Sequence, residues 1–220
     1  MEGIKAVIFD LDNTILDRTG TFQAFTESFV GRFLGHLDAP GEIFARIVEL
    51  DEDGYKDKRT LFQQLLEEMP WEVKPSHEEL MLYYKTEYVK QAKLMDQAAE
   101  VLQYIRSKYK TALITNGRND IQYGKIDRLG IRELFDFIIV SEEAGCKKPD
   151  PRIFEAALAG LGLMPSECIY VGDHPVNDME GAANAGLGTI WYKVNQPWRG
   201  VLNAAPLYTI DSFTQLVHLV

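Results

Sequence analysis

Two aspartates stand where a short apolar run ends: Val7-Ile8-Phe9 leads directly into Asp10-Leu11-Asp12-Asn13-Thr14. In an extended segment, residues two apart point the same way, so Asp10 and Asp12 share one side of the chain. Carboxylates this close repel, and either one keeps its proton or a cation sits between them. The same residues serve equally as a helix N-cap or an Asx-turn. A second acidic pair, Asp173 and Asp178, lies in Gly172-Asp173-His174-Pro175-Val176-Asn177-Asp178, after the run Ile169-Tyr170-Val171. Asp178 suits capping of a following helix, which leaves Asp173 without such a purpose. Hard oxygen donors from Asp10, Asp12 and Asp173 suit Mg²⁺. Imidazole is a poor ligand for that ion, so His174 reads as turn packing. His36, His77 and His218 stand isolated and support no triad.

Two further short signals fit the same chemistry. Thr115-Asn116-Gly117 follows Ala112-Leu113-Ile114 and offers a hydroxyl, an amide and a flexible backbone. Such a strand end lets side chain and N–H groups approach phosphate oxygens, although Asn-Gly is also an ordinary turn. In Lys147-Lys148-Pro149-Asp150-Pro151, Pro149 biases Lys148 toward an extended conformation and Pro151 suits the first turn of a helix. Lys148, so held near carboxylates, is placed to offset charge on a nucleophile and its phosphate. Lys147 reads as a solvated surface lysine.

What must position these residues is an alternation of strands and helices. Strand patterns fall at 4–9, around Leu113 and Ile114, and at 137–140, 169–171, 189–191 and 207–210. Helical patterns fall at 97–108, 120–129, 151–161, 178–185 and 212–219, with Gly130, Gly162 and Gly186 after three of them. Continuous apolar strands separated by helices predict an α/β fold, with a Rossmann-like open parallel sheet covered on both faces. Open sheets of this kind bind ligands beyond the carboxyl ends of their strands. Between 19 and 92 the strand signal stops. Phe22, Phe25, Phe29 and Phe33 recur at helical spacing, as do Leu61, Leu65 and Met69 and then Leu80, Tyr84 and Tyr88. Breaks at Pro40-Gly41, Gly54 and Pro70 to Pro75 divide this stretch into about four helices. The aromatic stripe reads as a small core. The expected organisation is therefore a core of residues 1–17 and 93–220, with a helical domain at 18–92 inserted after the first strand.

Composition narrows the class. The 220 residues are 46% hydrophobic and 25% charged, ordinary for a globular chain. Against 33 acidic residues stand 23 Lys and Arg, a net charge of −10, which argues against nucleic-acid coating or a polybasic membrane anchor. No apolar run approaches the roughly 18 residues of a membrane-spanning helix. Residues 1–9 lack a basic start and cleavage site, and Cys146 and Cys168 read as reduced thiols, so a cytoplasmic location is expected. Arg18 is a reasonable anion contact, although a lone arginine more often makes a surface ion pair.

At these residues the sequence resembles the haloacid dehalogenase (HAD) superfamily, whose four short motifs occur in order. They are Asp10-Leu11-Asp12-Asn13-Thr14, Thr115, Lys148 before Pro149-Asp150, and Gly172-Asp173 through Asp178. The insertion resembles the family's helical C1-type cap. The resemblance implies a Mg²⁺-dependent phosphomonoester hydrolase acting on a small phosphorylated metabolite. It assigns Asp10 as nucleophile, forming an aspartyl-phosphate, and Asp12 as general acid and base. Thr115 and the Asn116 backbone would hold phosphate oxygens, and Lys148 would offset the charge. Mg²⁺ would be held by the Asp10 carboxylate, the Asp12 carbonyl and Asp173, with Asp178 orienting Lys148 or a metal-bound water. Dehalogenating relatives lack the second acid, since a halide leaves unprotonated, and Asp12 is present here. Phosphonate-cleaving relatives need a cap lysine, for which Lys56, Lys58 and Lys74 are the candidates. A phosphomutase uses the same two acids. A phospho-accepting receiver module shares the first-strand acids, the Thr and the Lys, but lacks the later acidic pair and the helical insertion.

Overall fold

The computed structural model describes residues 3–198, 202 and 205–220; residues 1–2, 199–201 and 203–204 of the expected core lie outside them. Six strands form one parallel sheet in the order β3-β2-β1-β4-β5-β6. They are β1 (Ala6–Phe9), β2 (Lys110–Thr115), β3 (Phe137–Val140), β4 (Cys168–Gly172), β5 (Gly188–Tyr192) and β6 (Tyr208–Ile210). All four residues of β1 are fully buried, as expected of a central strand covered on both faces. One face packs Ala6, Ile8, Ala112, Ile114 and Tyr170 with Phe154, Ala157 and Ala182. On the other, the Phe9 ring meets Phe213 at 6.0 Å between centroids.

The chain leaves β1 toward β2 and β3, then returns to β4 on the other side of β1. Open parallel sheets bind ligands at such a reversal, here beyond the carboxyl ends of β1 and β4. Register makes the placement specific. Phe9 pairs with both Leu113 and Val171, so Thr115 and Asp173 emerge at one level of the sheet, one residue beyond Asp10.

The chain folds as two compact units, Met1–Asp17 with Leu94–Val220, and Arg18–Lys93. The second is helical: α1 (Arg18–Phe33), α2 (Gly41–Asp51), α3 (Lys58–Glu68) and α4 (His77–Tyr83), the last continued by a π-helical segment, Tyr84–Tyr88. Its aromatic stripe forms that unit's core, with Phe22, Phe25 and Phe29 at most 1% exposed. Phe25 meets Tyr84 edge-on at 5.5 Å, and Tyr84 stacks on Tyr88 at 4.9 Å. Arg18 departs from the surface role expected of it. It is buried and pairs with the buried Asp51, which also takes Lys58 Nζ at 2.7 Å.

In the first unit, α5 (Ala98–Arg106) precedes β2, and α6 (Asn119–Leu129) follows it. A short α7 (Ser141–Ala144) and then α8 (Pro151–Leu161) separate β3 from β4. Beyond β4 come a π-helical turn (Pro175–Glu180) and α9 (Gly181–Asn184); α10 (Leu216–Leu219) ends the chain. Among the described residues no helix is long and apolar enough to cross a membrane.

Candidate active site

Asp10 is fixed where β1 ends, its backbone N–H donating to the Val171 carbonyl at 2.9 Å. Its carboxylate faces Lys148, whose ammonium lies 2.5 Å from Asp10 Oδ1 and 2.7 Å from Asp178 Oδ1. The third donor of that ammonium goes to Tyr170 Oη at 2.9 Å, and the tyrosine hydroxyl donates on to Asp178 Oδ1 at 3.0 Å. All four groups are buried. Lys147, by contrast, is exposed. The segment carrying Lys148 is clamped from β2: the Asn116 amide donates to the Lys148 carbonyl at 3.0 Å and accepts from its N–H at 2.9 Å. The Asn116 side chain is thus spent on positioning Lys148.

Asp178 is enclosed by donors, since its Oδ2 also accepts the His174 N–H at 2.9 Å. Its approach to β4 depends on Gly172, where a Cβ would lie 2.5 Å from Asp178 Cγ. The following π-helical turn is capped by His174, not by Asp178. His174 Nδ1 accepts from Val176 N–H at 3.1 Å and Asn177 N–H at 2.9 Å, which leaves the ring proton on Nε2. Asp173 is held through its backbone, the Trp191 indole donating to its carbonyl at 2.8 Å.

Carboxylate oxygens of Asp10, Asp173 and Asp178 all lie within 4.8 Å of one another, a buried group able to hold a metal ion. Asp10 and Asp178 share the Lys148 ammonium there, and burial together with these charges sets the pKa shifts. Burial, with repulsion from Asp178 and Asp12, pushes the Asp10 carboxyl up to about 7 despite Lys148. Burial alone would lower Lys148, but Asp10 and Asp178 outweigh it and hold the ammonium well above its ordinary range. The Tyr170 phenol is raised by burial and by the same two acids, so it stays a neutral donor.

Asp12 sits apart from this cluster. Its carboxylate meets Lys125 Nζ at 2.7 and 3.0 Å and the Gln122 amide nitrogen at 2.9 Å. Gln122 also donates to the Thr115 hydroxyl. Tyr170, Gln122 and Lys125 were not apparent as site residues in the sequence. Tyr170 lies inside an apolar strand run, and the other two lie on a helix where polar residues ordinarily face water.

A family model described as haloacid dehalogenase-like hydrolase matches residues 4–186. The chain belongs to that family. It is 28% identical to the glyceraldehyde 3-phosphate phosphatase of Pyrococcus furiosus over 198 residues, covering 88% of this chain and 82% of the relative. It is also 28% identical to the N-acylneuraminate-9-phosphatase of Mus musculus, over 97% of this chain and 92% of that one. Among solved structures, the HAD-hydrolase YfnB of Bacillus subtilis matches with a TM-score of 0.81 at 23% identity, covering 98% of both chains. This HAD hydrolase therefore has the family's parallel core.

Proposed function

We propose that this hydrolase is a Mg²⁺-dependent phosphomonoesterase for small phosphorylated metabolites, working through a phosphoryl group carried on Asp10. The observation that carries the reading is the buried Lys148 ammonium between Asp10 and Asp178 at the reversal of the sheet. A carboxylate held at a strand end beside a fixed cation is suited to attack an anionic phosphorus that bulk water would otherwise reach first. The two relatives described above are phosphatases of small phosphorylated metabolites, which supports the substrate class.

In the first step an Asp10 oxygen bonds to phosphorus as the bond to the ester oxygen breaks. Asp12, as the acid, gives its proton to that departing oxygen. In the second step water attacks the same phosphorus, its proton passes to Asp12, and Asp10 is released. Thr115 and the Asn116 backbone hold phosphate oxygens, and Lys148 offsets their charge. Asp178 and Tyr170 keep Lys148 in place.

The donor set fits Mg²⁺. Three carboxylates against one ammonium leave a formal charge of −2 in a buried space, and every donor is a hard oxygen. Asp10 and Asp173, with the Asp12 carbonyl, would hold the ion; Asp178, whose oxygens already accept from Lys148, Tyr170 and His174, acts from outside its ligand set. When bound, Mg²⁺ supplies charge neutralisation for Asp10 and the phosphoryl oxygens.

Hydrolysis of para-nitrophenyl phosphate and of an alkyl phosphate in Mg²⁺ tests this reading. Asp10→Asn should lose turnover on both by about 10³-fold or more, and Asp12→Asn should lose about 10²-fold or more on the alkyl ester. Equal rates for wild type and Asp10→Asn would remove the nucleophile assignment.

A further inference from the structure

Lys125 and Gln122 stand outside the four short motifs, yet both are buried, at 3% and 2% exposure. Lysine is almost never this buried without a partner. Three residues apart on α6, they share one helix face. The ammonium divides its donors between both Asp12 oxygens, at 2.7 and 3.0 Å, and Gln122 Oε1, at 2.8 Å. The Gln122 amide nitrogen donates to Asp12 Oδ2 at 2.9 Å and to the Thr115 hydroxyl. One glutamine thus ties the β1 acid to the β2 hydroxyl, and one lysine grips both acid oxygens. The Asp12 side chain is still 28% exposed, so the carboxylate is gripped without being enclosed.

Stability alone is a poor reason for this arrangement. Desolvating an ammonium costs about as much as such a pair returns, so an apolar residue at position 125 would hold the helix equally well. The two side chains do fix the rotamer of Asp12 and its distance from Thr115. A misplacement of about 1 Å at a reacting group costs roughly a hundredfold in rate.

We propose that Lys125 and Gln122 are positioning residues that hold the Asp12 carboxylate in line with the leaving oxygen of the substrate. The proposal rests on the reading of Asp12 as general acid. Each would act through Asp12, and Gln122 would set Asp12 against the Thr115 hydroxyl.

The test compares phenyl phosphate with para-nitrophenyl phosphate, two similar esters that differ mainly in how much the leaving oxygen needs a proton. For both, kcat/KM reports the steps up to departure of that oxygen. Lys125→Met keeps the length of the side chain and removes its donors; Gln122→Met does the same for the amide. Each should lower kcat/KM on phenyl phosphate about tenfold more than on para-nitrophenyl phosphate, with inhibition by inorganic phosphate changed less than about threefold. Asp12→Asn should show the same selectivity, more strongly.

Equal losses on both esters in a variant that still melts cooperatively would overturn the proposal. So would weaker inhibition by phosphate with unchanged selectivity, since Lys125 would then be a phosphate ligand. If Asp12→Asn itself shows no selectivity, the general-acid reading falls, and the clamp with it. If Asp12→Asn is selective but neither methionine variant is, the clamp alone falls. Should Lys125→Met fail to fold, Gln122→Met decides the matter by the same ratio.

Discussion

At the scale of single residues, the site is a problem of three acids and one ammonium, all buried. Asp10, Asp173 and Asp178 crowd together, and Lys148 is shared between two of them. Burial therefore lifts the Asp10 carboxyl from 3.8 to about 7. A raised carboxyl means that the folded chain holds a proton the unfolded chain gives up. Its contribution to stability is full below about pH 4 and is lost as pH rises through 7. Mg²⁺ bound at Asp10, as proposed, would compete for the same oxygen, so its binding should strengthen over the same interval. We expect a larger rise in melting temperature with Mg²⁺ at pH 8 than at pH 5.5, measured by calorimetry. An equal rise at both pH values would mean that the ion binds elsewhere. The grouping of Asp10, Asp173 and Asp178 with Lys148 was legible in the sequence because the acids follow the apolar runs 7–9 and 169–171 and Pro149 fixes the segment that carries the lysine. Tyr170, Gln122 and Lys125 were not. Their significance lies in partners far along the chain, as with Lys125 and Asp12 at a separation of 113 residues.

Among the elements, the strands were the easiest to read. Apolar runs such as Ala6–Phe9 carry their burial in their composition, and Pro151 marks the start of α8. Less legible was the segment after Asp173. A helix over 178–185 was expected, whereas a π-helical turn begins at Pro175 and His174 caps it through a ring nitrogen. Histidine at such a cap leaves no pattern in composition. The short α7 was also unanticipated; its four residues are too few for a periodic signal. In the helical unit, α3 begins at a conventional cap: Asp57 Oδ1 accepts from the Thr60 N–H at 3.0 Å. The Thr60 amide holds the Asp57 carboxyl below its ordinary range although partial burial opposes it. Asp57→Ala should destabilise that unit by about 1 kcal/mol, seen as faster amide exchange across Lys58–Glu68. Unchanged exchange would show that packing of Leu61, Phe62 and Leu65 alone holds the helix.

Over the whole molecule, a net charge of −10 sits awkwardly with an anionic substrate until the charges are placed. Asp10, Asp173 and Asp178 are inside, two of them paired with the buried Lys148, and a divalent cation at this cluster would reverse the local field. The parallel order of the sheet was readable from the alternation of strands and helices. Which strands become neighbours was not, because the order β3-β2-β1-β4-β5-β6 depends on tertiary packing. That order brings Asp10 beside Thr115 and Asp173, and so creates the site. The proposed activity depends on Asp10 carrying the phosphoryl group. The most direct test is acid quenching during turnover of a ³²P-labelled phosphomonoester in Mg²⁺, followed by peptide mapping. Label should appear on the peptide containing Asp10, be released by hydroxylamine, and be absent from Asp10→Asn. Turnover with label on another residue, or undiminished turnover by Asp10→Asn, would contradict the account.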